Sequence, residues 1–138
     1  MRKTLLITGS RKGLGRFLAE SFLDRGWRVW GCSRSEPGWA RDGYRHFSCD
    51  VADSGAVRSM VRQAEKESGG LYALVNNAGI ASMNAMLLTP SATARRIMET
   101  NALGTFNLMQ EVAKGMCRRK EGRVVNVSSI AAALDLEG

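Results

Sequence analysis

Three glycines follow the first apolar run of the chain, in the segment Thr8-Gly-Ser-Arg-Lys-Gly-Leu-Gly15. Gly9 can make a tight turn, Gly13 lets a pyrophosphate approach the backbone, and Gly15 lets a helix pack closely on a strand. A helix that begins here points free N–H groups and partial positive charge at the loop. The segment therefore favours a phosphate site, with a tight turn that binds no ligand as the alternative. Its candidate contacts are Gly9, Ser10, Arg11, Lys12, Gly13, Leu14 and Gly15.

The next informative residues are Cys32-Ser33-Arg34-Ser35, at the end of the second apolar run. Dinucleotide sites that prefer NAD usually carry an acidic residue here, roughly 20 residues beyond the glycines, to bind the ribose 2′-hydroxyl. This segment has no carboxylate. A guanidinium can instead bind a 2′-phosphate through two hydrogen bonds, with added attraction from Arg11 and Lys12. Ser33 and Arg34 thus predict NADP(H); the alternative is that the cations are solvated surface residues.

Alternating strands and helices must position these residues. The apolar runs predict five strands, and helical spacing with capping residues predicts three helices between them. Such alternation indicates an α/β fold with a parallel sheet covered by helices on both faces. The predicted strands are 4–8, 28–33, 44–49, 71–75 and 123–127; the helices run from about 14 to Gly26, from the cap Asp53 to about Ser68, and from Thr89-Pro90 to about Arg119.

Composition limits the function classes. Hydrophobic residues make up 44% of the 138 residues and charged residues 24%, as in ordinary globular proteins. The net charge of +7 is scattered, so nucleic acid is not expected as a partner. Three widely spaced cysteines and one histidine show no metal-ligand spacing. Reduced, buried thiols predict a cytoplasmic location, and neither a signal peptide nor a membrane span is expected.

With these motifs in view, the sequence resembles the short-chain dehydrogenase/reductase family over essentially its whole length. The glycine segment resembles the family's TGxxxGxG motif. The other matching motifs are Asp50-Val51, which corresponds to the family's adenine contact; Asn76-Asn77-Ala78-Gly79, its NNAG motif; Asn101, its active-site asparagine; and Ser129 in "NVSSI", its active-site serine.

The resemblance implies a Rossmann-like, doubly wound sheet in the order 3-2-1-4-5, a nicotinamide cofactor, which Arg34 predicts to be NADP(H), and hydride transfer to or from an unknown carbonyl or alcohol substrate. Ser129 and Asn101 are the implied catalytic residues. The family's tyrosine exchanges a proton with the substrate, and a lysine four residues later favours its phenolate. Neither Tyr44 nor Tyr72 has a lysine at that spacing.

Three interpretations remain open at this point. The chain is a piece of an NADP-dependent oxidoreductase, a non-catalytic nucleotide-binding or interaction module, or one part of a split enzyme. In each case residues 1–138 form one partial dinucleotide-binding domain. We also expect a homo-oligomer, because residues 124–127 would form a sheet edge, and a poorly ordered tail from about Ala131. The helix before that edge would expose some of Ile97, Leu108, Met109, Val112 and Met116.

Overall fold

A computed structural model describes residues 2–130 and shows a five-stranded parallel sheet. The strands are β1 (Thr4–Thr8), β2 (Arg28–Ser33), β3 (Tyr44–Ser48), β4 (Ala73–Asn76) and β5 (Arg123–Asn126). Their order is β3-β2-β1-β4-β5, which confirms the predicted α/β topology. The register aligns Leu6 of β1 with Trp30 of β2 and with Leu74 of β4.

The helices connect successive strands. The first two are α1 (Gly13–Asp24) and α2 (Ser54–Ser68), and a 3-10 turn, Met86–Leu88, precedes α3 (Ser91–Met98) and α4 (Gly104–Arg119). Asp53 caps α2 as predicted, since its side chain accepts a hydrogen bond from the backbone N–H of Ala56 at 2.9 Å. Gly69, in the left-handed conformation, ends that helix, which is a common glycine role.

The core lies on both faces of the sheet. Consecutive residues of β1 alternate between these faces, as side chains of a strand must: Leu5 and Ile7 pack with Ala19 and Leu23 of α1. Leu6 instead belongs to the larger cluster that includes side chains of α2 and α4. Because β1 is buried throughout, its carboxyl end is fixed by packing on both sides.

The helix predicted from Thr89-Pro90 to Arg119 is interrupted. A π-helical turn, Glu99–Leu103, joins α3 to α4. The first residue of α4, Gly104, lies so close to Val51 that a Cβ atom there would overlap the valine side chain. Periodic spacing predicts helical residues but does not reveal an extra residue in one turn, which is why the sequence missed the interruption.

The predicted sheet edge is present, but the predicted apolar stripe is only partly exposed, since Ile97 and Met109 are half-buried. All four residues of β5 are exposed. By contrast, Leu108, Val112 and Met116 are buried in the core, because that face of α4 packs with side chains of α2 and the sheet. The exposed apolar side chains nearby are Met98, Leu103 and Phe106.

Two further sequence expectations concern the surface. Cys32 and Cys49 are buried as predicted, but Cys117 is exposed near the end of α4, so that prediction was wrong for one thiol of three. No helix within residues 2–130 is long and apolar enough to cross a membrane. The tail predicted from Ala131 lies outside the described residues.

Candidate cofactor site

A cleft of about 390 Å³ lies at the carboxyl ends of the strands, where open α/β sheets bind their ligands. Thirteen of the fourteen predicted cofactor residues line it. The cleft is also lined by five residues that the sequence did not predict as cofactor contacts: Cys32, Ser35, Cys49, Ile80 and Thr100.

Ser10 is the predicted residue that does not line the cleft. Its side chain is fully buried, and its Oγ lies 2.8 Å from the Tyr44 hydroxyl oxygen. The side chain of this serine therefore points into the protein beneath the loop, where its hydroxyl has a partner, and the predicted cofactor contact of Ser10 stays a prediction.

The glycine loop takes its shape from backbone geometry that needs glycine. Gly9 and Gly13 have φ angles of 69° and 57°, a region that other residues rarely occupy. The Gly9 N–H donates to the Cys32 carbonyl oxygen at 2.8 Å, which holds the loop against β2. At Gly15 a Cβ atom would overlap the Gly9 carbonyl and the Asn77 side chain, so this glycine allows the close approach of α1.

The amino-terminal end of α1 faces the cleft without a side-chain cap. Lys12 is its N-cap residue and makes no capping hydrogen bond. The first N–H groups of a helix lack intrahelical partners and carry partial positive charge. Arg11, Lys12 and Arg34 line the same cleft, are exposed, and form no ion pair within the described part of the chain. This end of the cleft is suited to a phosphate group.

The loop after β4 is attached to the end of β1 by side chains. Thr8 Oγ1 accepts hydrogen bonds from the backbone N–H groups of Asn77, at 3.0 Å, and Ala78, at 2.9 Å. The Asn77 amide donates to the carbonyl oxygens of Thr8 and Gly9. The Asn77 amide group therefore holds the glycine loop, while the segment through Gly79 lines the cleft.

A third loop, after β3, completes the wall. The Asp50 carboxylate accepts a hydrogen bond from the Ala52 N–H at 3.0 Å and is exposed. The Val51 carbonyl accepts one from the Asn107 amide at 3.0 Å, which ties this loop to α4. Burial, and then the nearby Asp50 charge, raise the pKa of Cys49 to about 11, so its thiol is neutral at physiological pH.

The two predicted catalytic residues are not among those that line the cleft. Asn101 lies in the π-helical turn, and its amide binds Ile80 twice: Oδ1 accepts from the Ile80 N–H and Nδ2 donates to the Ile80 carbonyl, both at 2.8 Å. Ser129 is exposed and follows β5. Since Ile80 lines the cleft, Asn101 supports its wall.

Sequence reasoning missed a group of polar and aromatic residues beside the glycine loop: Trp39, Tyr44 and His46. Burial raises the pKa of Tyr44 to about 12. Burial also lowers the pKa of His46, although the Ser35 carbonyl and Glu36 oppose that effect. A lone histidine and a tyrosine in a weak strand pattern carry no motif, so only their spacing of two residues, which puts both side chains on one face of β3, could have drawn attention to them.

Comparisons with known proteins agree with this geometry. The family model described as short chain dehydrogenase matches residues 3–138. The chain is 31% identical over 142 residues to the 3-oxoacyl-(acyl-carrier-protein) reductase FabG of Vibrio cholerae, covering 99% of the chain and 58% of that protein. It is 35% identical over 137 residues to the acetoacetyl-CoA reductase of Paracoccus denitrificans, covering 94% and 56%. The chain thus spans less than two thirds of the length of these relatives.

Solved structures give the same result. The structure of ElxO with NADP bound is 30% identical, with a TM-score of 0.92, and the match covers 99% of this chain and 59% of that one. A short chain dehydrogenase from Leptospira borgpetersenii with bound NAD+ has a TM-score of 0.93 at 21% identity, covering 99% and 55%; at that identity the likeness concerns the fold alone. From the match of the family model over nearly all of its residues, the chain belongs to the short chain dehydrogenase family.

Proposed function

We propose that this chain is the NADP(H)-binding part of an oxidoreductase that transfers hydride between the nicotinamide and a carbonyl or alcohol substrate. One observation carries the choice of cofactor: Arg34, Arg11 and Lys12 line one cleft together with the uncapped end of α1. A 2′-phosphate and a pyrophosphate are both anionic, and each would meet a cation or free N–H groups there.

The residues fit the cofactor in two further respects. First, the three glycines of the loop line the cleft, so that a pyrophosphate can approach the backbone closely. Second, Ser33, at the end of β2, is a neutral residue at the position where NAD sites usually carry an acid. When bound, NADPH supplies the hydride. The protein supplies binding and orientation, through the glycine loop, Arg34 and the loops that contain Asp50 and Ala78.

We assign Ser129 to hydrogen bonding of the substrate oxygen and Asn101 to support of a water in proton transfer, on the family resemblance. The 138 residues hold no tyrosine with a lysine four positions later, so we propose that in this form they bind cofactor without ordinary turnover. A non-catalytic module and one part of a split enzyme are the alternatives; the second requires a partner chain that supplies both residues.

The remaining predictions concern organisation. We propose one partial dinucleotide-binding domain over residues 1–138 and association of the chain with itself through the exposed β5 edge. Buried free thiols at Cys32 and Cys49 support a reducing, cytoplasmic location. The scattered positive charge gives no reason to propose nucleic acid as a partner.

The test is a titration of NADPH and NADH into the protein and into the variant Arg34→Ala. Loss of a bidentate charged contact costs about 1.5–3 kcal/mol, so NADPH should bind about ten- to a hundredfold more weakly while NADH is little changed. Arg62→Ala is the matched control, because Arg62 is an exposed arginine of α2 that does not line the cleft. Equal affinities of the unmodified protein for the two cofactors would refute the NADP(H) assignment.

A further inference from the structure

Three side chains connect the glycine loop to the turn that carries Arg34. Ser10 Oγ lies 2.8 Å from the Tyr44 hydroxyl oxygen, and that oxygen lies 2.8 Å from His46 Nδ1. His46 Nε2 lies 3.1 Å from the Ser35 carbonyl oxygen and 3.1 Å from Ser33 Oγ. The residues on both sides of Arg34 are thus bound by one imidazole.

The direction of these hydrogen bonds follows from the last acceptor. A carbonyl oxygen only accepts, so His46 Nε2 carries a proton and donates to Ser35. Burial favours the neutral ring, whose Nδ1 then accepts from the Tyr44 hydroxyl. The Ser10 hydroxyl also lies 3.5 Å from the Cys32 carbonyl oxygen, but the Tyr44 oxygen is closer, at 2.8 Å, and its own proton is directed at His46, so Ser10 donates to Tyr44. Every donor from Ser10 to His46 points toward the Arg34 turn, an alignment in which successive hydrogen bonds strengthen one another.

A glycine makes room for this chain. At Gly31, in the middle of β2, a Cβ atom would overlap both Ser10 Oγ and the Tyr44 hydroxyl. Glycine weakens the interior of a strand and often marks a place where another group approaches closely. Here the group is the Ser10–Tyr44 hydrogen bond, which is itself partly buried.

Trp39 adds a second connection between the same two segments. Its indole Nε1 donates to the Ser10 carbonyl oxygen at 3.2 Å, and its ring stacks on Tyr44 with 4.0 Å between centroids. Since Trp39 lies in the middle of the loop between β2 and β3, this loop is tied to the glycine loop there as well as at its beginning, beside Arg34.

Arg34 itself has no such support from its own side chain. It is exposed, and no ion pair or side-chain hydrogen bond of Arg34 is formed within the part of the chain that the structure describes. The place of its guanidinium therefore depends on the backbone of Ser33 and Ser35. A group held in its bound position loses less conformational entropy when its ligand arrives.

We propose that Ser10, Tyr44 and His46 are positioning residues that set the preference for a 2′-phosphate by fixing Arg34 relative to the glycine loop. This inference rests on the proposed NADP(H) function. It assigns specificity to residues that do not line the cleft, and it gives a role to the serine of the glycine loop, which is buried beneath the cleft.

The test measures NADPH and NADH affinity in Tyr44→Phe, which keeps the ring stacked on Trp39 and removes the hydroxyl. NADPH should bind about three- to tenfold more weakly, with NADH affinity changed less than about twofold, so that the ratio between the cofactors falls. Tyr72→Phe is the matched control, since Tyr72 contacts Lys3 and Trp27 and does not line the cleft; it should leave both affinities unchanged.

A merely structural role would give a different pattern. Loss of packing would weaken both cofactors alike, and the effect would persist when Arg34 is absent. We expect instead that Tyr44→Phe has no further effect on NADPH affinity in an Arg34→Ala background. An equal loss for NADPH and NADH, or an unchanged loss in that background, would overturn the inference.

A pair of histidine variants provides a second route if Tyr44→Phe does not fold. The amide of His46→Gln can replace Nε2 toward Ser35, whereas that of His46→Asn can replace only Nδ1 toward Tyr44. The Gln variant should keep more of the NADPH preference than the Asn variant; the reverse order would contradict the proposal. If Arg34→Ala removes the preference but the Tyr44 and His46 variants leave it intact, the proposed function stands and this inference fails. Absence of a preference in the unmodified protein refutes both.

Discussion

Around β1 and β2, side chains and loops meet at one cleft, whereas beyond β4 the sheet ends in a strand whose four residues are all exposed. The glycine loop is held by Cys32 on one side and by Asn77 on the other. In contrast, α3 buries no residue, and Phe106 of α4 is 53% exposed. The loops around the cleft are thus held together by hydrogen bonds within the chain, whereas Asn101 and Ser129 lie on exposed surface.

The largest expected effect concerns turnover. We predict that the 138-residue chain binds NADPH in the cleft at the ends of β1 and β2, which we call the cleft side. We also predict that it does not reduce carbonyls at an ordinary rate, because the region around β5, which we call the β5 side, lacks part of the catalytic set. General acid–base catalysis contributes about 10²–10⁴-fold, and no tyrosine–lysine pair at the family's spacing is present to supply it. Steady NADPH oxidation by the purified chain, across a panel of ketones and aldehydes, would show that another group fills this role and that the two sides differ less than we infer.

The second prediction disturbs the cleft side alone. Gly15→Ala places a Cβ against the Gly9 carbonyl, so the glycine loop must shift. We expect a stability loss of about 1–3 kcal/mol, measured by urea unfolding, and NADPH binding at least about tenfold weaker.

Gly55→Ala is the control for that variant. Gly55 lies in the first turn of α2, where a Cβ would meet only ordinary contact with Asp53 at 3.4 Å. Alanine is the better helix former, so this change should leave cofactor binding alone and preserve or raise stability. Equal losses in the two variants would mean that close packing at Gly15 is not the cause.

The smallest effect concerns association through the β5 side. Unpaired strand edges promote pairing with other chains, so light scattering at micromolar concentration should show a dimer or larger assembly. Val125→Lys places a charge on exposed β5 and should weaken association about tenfold. Gln63→Lys adds the same charge on exposed α2 and should not. A 15.0 kDa monomer whose Val124–Val127 amides exchange rapidly would refute the interface.

The sequence predicted the strands and the cleft because both depend on local signals, whereas the sheet order was implied by the family resemblance. Apolar runs identified β1 and β2 to the residue, and the glycine spacing located the start of α1. The boundaries of β4 differed by one or two residues, since Leu71 is apolar and buried without belonging to the strand. Edges of elements depend on hydrogen bonds that apolar patterns do not encode.

Other features depend on contacts between distant segments. Leu108 and Val112 are buried because α4 packs with side chains of α2. Periodic spacing shows that a helix has an apolar face, but it does not show which element covers that face. The Ser10–Tyr44 hydrogen bond joins residues 34 positions apart. The one sequence feature related to it is Gly31, where a Cβ atom would overlap the two hydroxyl oxygens. That requirement for glycine appears only in the folded structure, where β2 lies beside the glycine loop.

Thr8 shows how one hydroxyl can lengthen a sheet. Backbone pairing between β1 and β4 ends at Ile7 and Val75, yet Thr8 Oγ1 receives two further amides, those of Asn77 and Ala78. The side chain acts as a carbonyl would in the next rungs of the ladder. Valine has nearly the same shape and strand preference but no oxygen, so it would leave two amides without partners. At this position valine could replace threonine by shape, but it could not replace the two hydrogen bonds that the threonine hydroxyl accepts.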